Sequence, residues 1–255
     1  MTRLVGLNLI LKFDVIKSSK CHACVEAKQP RKPHKTAAAR ELAPLNLIHS
    51  DVCEMNEELT KGGKRYFLTF ICDCTRYCYV YLLKTKDEVL HYFKIYKVEV
   101  ENQLERKIKH LRSDRGGEYF SNEFSKFYAV HGIIHERTPP YSPQSIGIAE
   151  RKNRTLTHLV NAKLETAGVS KEWWGEAILI ACHVLNRVST KNKESTPFEE
   201  WEKKRLNLSY LRTWDCLAKV NVPINKKRKL RPKTVDCVFL GYAIHSVGYR
   251  FNNKL

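Results

Sequence analysis

Residues 62–84 read GGKRYFLTFICDCTRYCYVYLLK. Two runs rich in β-branched and aromatic side chains flank a tight polar turn, which is the pattern of a β-hairpin. Its neighbours set the kind of sheet it joins. Before it, LNLIHSDV (45–52) is a short apolar strand ending in Asp51. After it, KDEVLHYFKIYKVEVENQ (86–103) repeats apolar residues at intervals of three and four, so a helix is predicted. KIKHLRSD (107–114) is then a strand ending in Asp114, NEFSKFYAVHG (122–132) a short helix closed by Gly132, and IIHER (133–137) a strand.

Farther along, a helix is expected from about Ile148 to Gly168, and KEWWGEAILIACHVLNRV (171–188) forms another. STPFEEWEKK (195–204) opens a third, with Thr196 as cap, Pro197 at the first helical position and Glu199 completing a capping box. From about 209, YLRTWDCLAKVNV and VDCVFLGYAIHSVGYRF return to strands around the basic loop PINKKRKLRPK. No internal repeat is present. The order fits an α/β fold, with a mixed five-stranded sheet flanked by helices and a small β module at the end.

The bulk numbers point to a polyanionic partner. Lys and Arg number 45 against 27 acidic residues in a chain of 255, a net charge of +18. Such an excess suits DNA or RNA. A hydrophobic fraction of 43% is enough for a real core. No run approaches the roughly 18 apolar residues of a spanning helix, so no membrane partner is expected. Lys12 and Asp14 interrupt the opening apolar stretch and no small-residue cleavage site follows, which argues against a signal peptide. Nine scattered cysteines suit a reduced, intracellular setting, nuclear and cytoplasmic, and not secretion.

Three carboxylates are placed to meet. Asp51 and Asp114 end strands, and Glu150 opens a long helix, with 35 residues between the last two. Strand ends and helix starts converge at one edge of an open α/β sheet. Carboxylates meeting there repel one another unless a counter-ion intervenes. Hard oxygen donors select Mg²⁺ or Mn²⁺, and two such ions can clamp the attacking and leaving oxygens of a phosphodiester. Spacing alone does not decide this. Asp87 and Glu123 are also separated by 35 residues, yet both read as first-turn residues of helices. Glu150 also has a plain alternative, an ion pair with Arg154 four positions on. On pattern alone both readings stand.

LIHSDVC, GGKRYFLTFICDCTRYCYVYLLKTK, LRSDRGGEYF, PYSPQSIGIAERKNRTL, WWGEAILIACHVLNR and TPFEEW together closely resemble the integrase of copia-type retrotransposon polyproteins, of the kind common in plants. The resemblance covers nearly the whole chain. It implies an RNase H-like core with an Asp-Asp-Glu triad at Asp51, Asp114 and Glu150. Asp51 and Asp114 would bridge the two ions and Glu150 would complete the second site. The implied chemistry is 3′-end processing of element DNA followed by strand transfer into target DNA. The partner is double-stranded DNA, and a homo-oligomer is implied because integration needs two DNA ends.

On this reading residues 1–40 are the remnant of a zinc-binding region and a basic linker. Residues 41–207 are the catalytic core, and 208–255 are a small β-barrel-like module, expected to be incomplete. The family's zinc module uses a His pair before a C-x-x-C. Here Cys21 and Cys24 are present but no His precedes His22, so the Zn²⁺ site is expected to be truncated. Ile146 replaces the usual Asn before Gly147, and Cys72 replaces a usual Asp. Both changes are expected to weaken activity while leaving the triad in place. The competing functions are an RNase H-like nuclease that cuts without joining, and a catalytically decayed DNA-binding remnant.

Gln144, Arg151, Lys152 and Arg154 are expected DNA contacts around the triad, as are Lys226, Lys227, Arg228 and Lys229 in the basic loop. The loop could equally be a solvated charge run or a nuclear-localisation signal. Gly116, Gly117 and the loop 138–147 are expected to shape the DNA groove. Cys72, Cys74 and Cys78 read as small buried hydrophobes before they read as a metal site. Trp173 and Trp174 read as core residues. His110, His131, His135 and His158 show no ligand spacing.

Overall fold

The computed structural model describes residues 43–55, 58–137, 147–189, 194–226, 228, 230–243, 246 and 248–253. All of them fall within one unit, Arg40–Leu255. The predicted hairpin is present as β2 (Tyr66–Cys72) and β3 (Cys78–Leu83), paired antiparallel. β1 (Leu47–Glu54) lies antiparallel to β2. β4 (His110–Ser113) runs parallel to β1, and β5 (Ile134–Arg137) runs parallel to β4. The sheet order is β3-β2-β1-β4-β5, the mixed five-stranded sheet expected from the sequence. Parallel neighbours need crossovers. These carry α1 (Val89–Leu104) and α2 (Asn122–His131), the latter capped by Ser121 and by Gly132 at a φ of 65°.

Both faces of the sheet are covered, so β2 is apolar on both sides apart from the central Thr69. Leu68 and Phe70 join Phe93, Tyr96, Leu111 and Phe124 in a cluster under α1 and α2. Phe67 and Ile71, on the alternate positions, join Leu156, Val160 and Ile178 in a second cluster. This second cluster is covered by α3 (Gly147–Ala167) and α4 (Trp174–Leu185). The expected capping box starts α5 (Pro197–Glu202): Thr196 Oγ1 accepts from Glu199 N at 3.2 Å and Glu199 Oε2 accepts from Thr196 N at 3.0 Å.

The last segment forms a three-stranded antiparallel sheet of β6 (Leu217–Asn221), β7 (Thr234–Tyr242) and β8 (Tyr249–Asn253). The first strand begins later than the sequence suggested. Asp215 takes a left-handed φ of 64° and Trp214 turns into the core, which ends any extended run through 210–216. No helix among the described residues is long and apolar enough to cross a membrane.

β3 is an edge strand, and a side chain satisfies the outward backbone groups of its first residue, Cys78. Asn186, at the end of α4 and 3% exposed, accepts from Cys78 N at 2.9 Å and donates to Cys78 O at 2.8 Å. An apolar residue there would orphan two backbone groups, each worth about 1–3 kcal/mol. Asn186→Leu is expected to lower the stability measured by urea unfolding by roughly 2–4 kcal/mol, with an unchanged m-value. A loss below about 0.5 kcal/mol would contradict the role given to Asn186.

Candidate active site

The parallel pairing of β1 and β4 sets the first two carboxylates side by side. His49 lies opposite Arg112, so two residues farther along each strand stand Asp51 and Asp114. Adjacent strands are about 4.8 Å apart. The third carboxylate, Glu150, is exposed in the first turn of α3. Asn153, one turn on and on the same side of the helix, ties α3 to the strands. Its Nδ2 donates to Asp51 Oδ2 at 2.9 Å, and its Oδ1 accepts from Thr69 Oγ1 at 3.0 Å. Thr69 is the cross-strand partner of Asp51 on β2 and is fully buried. The sequence expectations do not include Asn153. Its signal is a lone amide in the buried stripe Ala149, Asn153, Leu156, Val160, Leu164.

A second grip comes from the turn after Asp114. Gly116 N donates to Asp114 Oδ1 at 3.0 Å. Gly116 has an ordinary φ of −57°, so its backbone does not require glycine. What crowds it is Glu118, whose carboxylate would stand 2.5 Å from an added Cβ. Tyr119, buried beneath the site, shares a 2.6 Å hydrogen bond with Ser50, the neighbour of Asp51. This pair also escapes the sequence reading.

The carboxylates act on one another. Asp51 is pushed up to about 7, chiefly by burial, then by the charge of Asp114 and less by Glu150, while the Asn153 hydrogen bond works the other way. Among the described residues no three His, Cys, Asp or Glu side chains stand close enough to enclose a metal ion as they are. The donors are nonetheless all hard oxygens, and the excess negative field at Asp51 is what a divalent cation relieves.

The other expected residues are spread more widely. Arg151 and Arg154 are exposed on α3, whereas Lys152 is half-buried, near enough to the buried pair Cys78 and Cys182 for its charge to be felt there. Arg228 is exposed and Lys226 ends a short 3-10 turn. Gln144, Ile146, Lys227, Lys229, Cys21 and Cys24 lie outside the described residues. Cys72 and Cys78 are buried free thiols in the core. Asp73, next to Cys72, pairs with His49 at 3.0 Å and Arg76 at 3.3 Å. Trp174 is core, while Trp173 is half-buried with the Lys61 ammonium 4.2 Å from its ring centre.

Comparison with known proteins bears on this geometry. Residues 41–143 match the family described as "Integrase core domain", and residues 216–254 match "Retroviral polymerase SH3-like domain". The chain is 40% identical over 252 residues to the Retrovirus-related Pol polyprotein from transposon TNT 1-94 of Nicotiana tabacum, covering 96% of this chain and 19% of that protein. It is 30% identical over 230 residues to the corresponding polyprotein from transposon RE1 of Arabidopsis thaliana, covering 90% of this chain and 16% of that one. The chain thus spans less than a fifth of these relatives. Among solved structures, a simian T-cell lymphotropic virus intasome chain aligns with a TM-score of 0.58 at 16% identity, over 90% of this chain and 84% of that chain. The HTLV-2 integrase catalytic core domain in complex with magnesium aligns with a TM-score of 0.50 at 20% identity, over 64% of this chain and 99% of that chain. These structures share the RNase H-like integrase core fold.

The raised Asp51 gives a pH signature. Its folded value, about 7, exceeds the ordinary 3.8. As pH rises from about 4 to 7 the unfolded chain ionises first, so the metal-free protein loses stability across that window. Asp51→Asn removes this penalty. At pH 8 the metal-free variant is expected to melt above the wild type by on the order of a few degrees, the two converging near pH 4. Parallel melting profiles for the two proteins from pH 4 to 8 would contradict this.

Proposed function

Because the chain belongs to the integrase core domain family, as found in plant retrotransposon Pol polyproteins, we propose that it is the integrase segment of a copia-type element and a metal-dependent polynucleotidyl transferase. The observation that carries this reading is the Asn153 clamp, which brings the Glu150 turn of α3 to Asp51 beside Asp114. Asp51, Asp114 and Glu150 would hold Mg²⁺ or Mn²⁺. When bound, such ions supply charge neutralisation at the attacking and leaving oxygens of a phosphodiester.

The remaining tasks fall to the chain's own side chains. Asn153 and Thr69 orient the Asp51 carboxylate, and Gly116 N–H orients that of Asp114. Arg151 and Arg154, exposed on α3, contact backbone phosphates and position the duplex without reading its sequence. In end processing, water attacks a phosphodiester near the DNA terminus and leaves a 3′-hydroxyl. In strand transfer that hydroxyl attacks a target phosphodiester, a new P–O bond forms, and the target's own 3′ oxygen leaves. Two ends must be joined together, so the active form is a homo-oligomer on double-stranded DNA, at work in the nucleus.

The test is a strand-transfer assay with Mg²⁺ or Mn²⁺ and a labelled duplex ending in the element's terminal sequence. Wild type is expected to give joined product, and Glu150→Gln none. Asn153→Ala is expected to keep the fold and lose roughly 10–100-fold in rate, as groups that orient metal ligands do. Cleavage without joining would reduce the assignment to a nuclease. DNA binding with no metal-dependent chemistry would overturn it.

A further inference from the structure

Arg137 is the last residue of β5 and pairs in register with Ser113, the residue before Asp114. It therefore stands at the carboxylate edge of the sheet, one strand beyond Asp114. The side chain is exposed, and its guanidinium carbon lies over the Phe120 ring, 4.7 Å from the centre. Phe120 is itself fixed: it is half-buried, packs against the cluster under α1 and α2, and lies 5.2 Å from the His135 ring. A guanidinium resting on a fixed ring has less freedom to lose on binding, and its planar N–H edges stay open.

The nearby acid is already engaged. Glu136 accepts from Arg112 Nε at 2.8 Å, and its other oxygen lies 2.8 Å from His110 Nδ1. Among the described residues no ion pair joins Arg137 to a carboxylate. An unpaired cation, pre-oriented beside groups that repel phosphate, is suited to hold one by charge-assisted, two-pronged hydrogen bonds.

Its flank differs from that of the α3 cations. In the β4–β5 register Arg137 shares a sheet face with Ser113 and with His135, whose ring lies 5.0 Å from that of Tyr128 on α2. The Asp51 carboxylate faces Asn153 on α3. We propose that Arg137 is a phosphate-binding residue for duplex DNA on the side of the carboxylates opposite Arg151 and Arg154. The contact rests on geometry alone. Its source, the element's own end or the DNA joined to it, rests on the integrase reading.

The first experiment measures binding of the full chain, without metal, to a short fluorescent duplex of arbitrary sequence over a range of salt. Arg137→Gln is expected to weaken binding and to flatten the log–log salt slope by about 0.9, the share of one phosphate contact, with an unchanged melting temperature. Arg137→Lys keeps the charge without the fork, so it is expected to keep the slope and bind more weakly. A slope equal to wild type in Arg137→Gln would overturn the proposal and leave a structural cap on Phe120. A fall in melting temperature for Arg137→Gln with wild-type binding for Arg137→Lys would do the same. In the joining assay, loss of both end processing and joining by Arg137→Gln assigns the contact to the element end, and loss of joining alone assigns it to the target. An inactive wild type with the changed slope would remove the transferase reading and leave the phosphate contact standing.

Discussion

Asn153 hydrogen-bonds both β1 and β2 from α3, and the site depends on that. Its two amide ends are committed in opposite senses, donating to Asp51 and accepting from Thr69. Few residues could replace it. An aspartate would set another negative charge against a carboxylate already strained by Asp114 and Glu150. A leucine would leave the Thr69 hydroxyl, fully buried, with only its longer 3.4 Å bond to the Asp51 carbonyl oxygen. On the other face of β1, the Ser50–Tyr119 hydrogen bond ties the neighbour of Asp51 to the turn that follows Asp114. Asp51 is thus held from both sides of the sheet, through polar contacts in otherwise apolar surroundings.

The electrostatics explain why so basic a chain concentrates acid at one edge. A net charge of +18 draws a polyanion to the surface at large. Surface attraction alone performs no chemistry. Burial and like charges hold the Asp51 proton up to about 7, a condition that costs stability near neutral pH unless a cation is present. Cations on α3 and at the end of β5 flank the same edge. On the proposed reading this division of labour lets phosphate approach from the flanks while metal neutralises the centre.

Much of this was legible in the sequence because it follows period and punctuation. The hairpin declared itself through its aromatic and β-branched runs. Asp114 follows directly on the last residue of β4, as read, whereas Asp51 lies inside β1, which runs on to Glu54, and not at a strand end as expected. The Thr196–Glu199 capping box is local and formed as read. What stayed hidden depends on tertiary register. Asn153 sits among Arg151, Lys152 and Arg154, and reads as one more polar residue of a basic helix until the buried stripe is drawn. Tyr119 and Ser50 are 69 positions apart and meet only when the turn after β4 folds under β1. Lys152 looked like a phosphate contact from its neighbours, yet helix phase turns it partly inward. Asp215 broke the strand expected from about 209 by taking a left-handed φ, a conformation Asp adopts more readily than most residues but one that a strand-like run masks.

Whether Asp51, Asp114 and Glu150 act as one metal site is decided most directly by Mn²⁺ binding to the full chain, read by electron paramagnetic resonance. The expected result is binding by the wild type that weakens roughly tenfold or more, and to a similar degree, in Asp51→Asn, Asp114→Asn and Glu150→Gln, each still folded. Equal Mn²⁺ affinity in the wild type and all three variants would contradict a shared site.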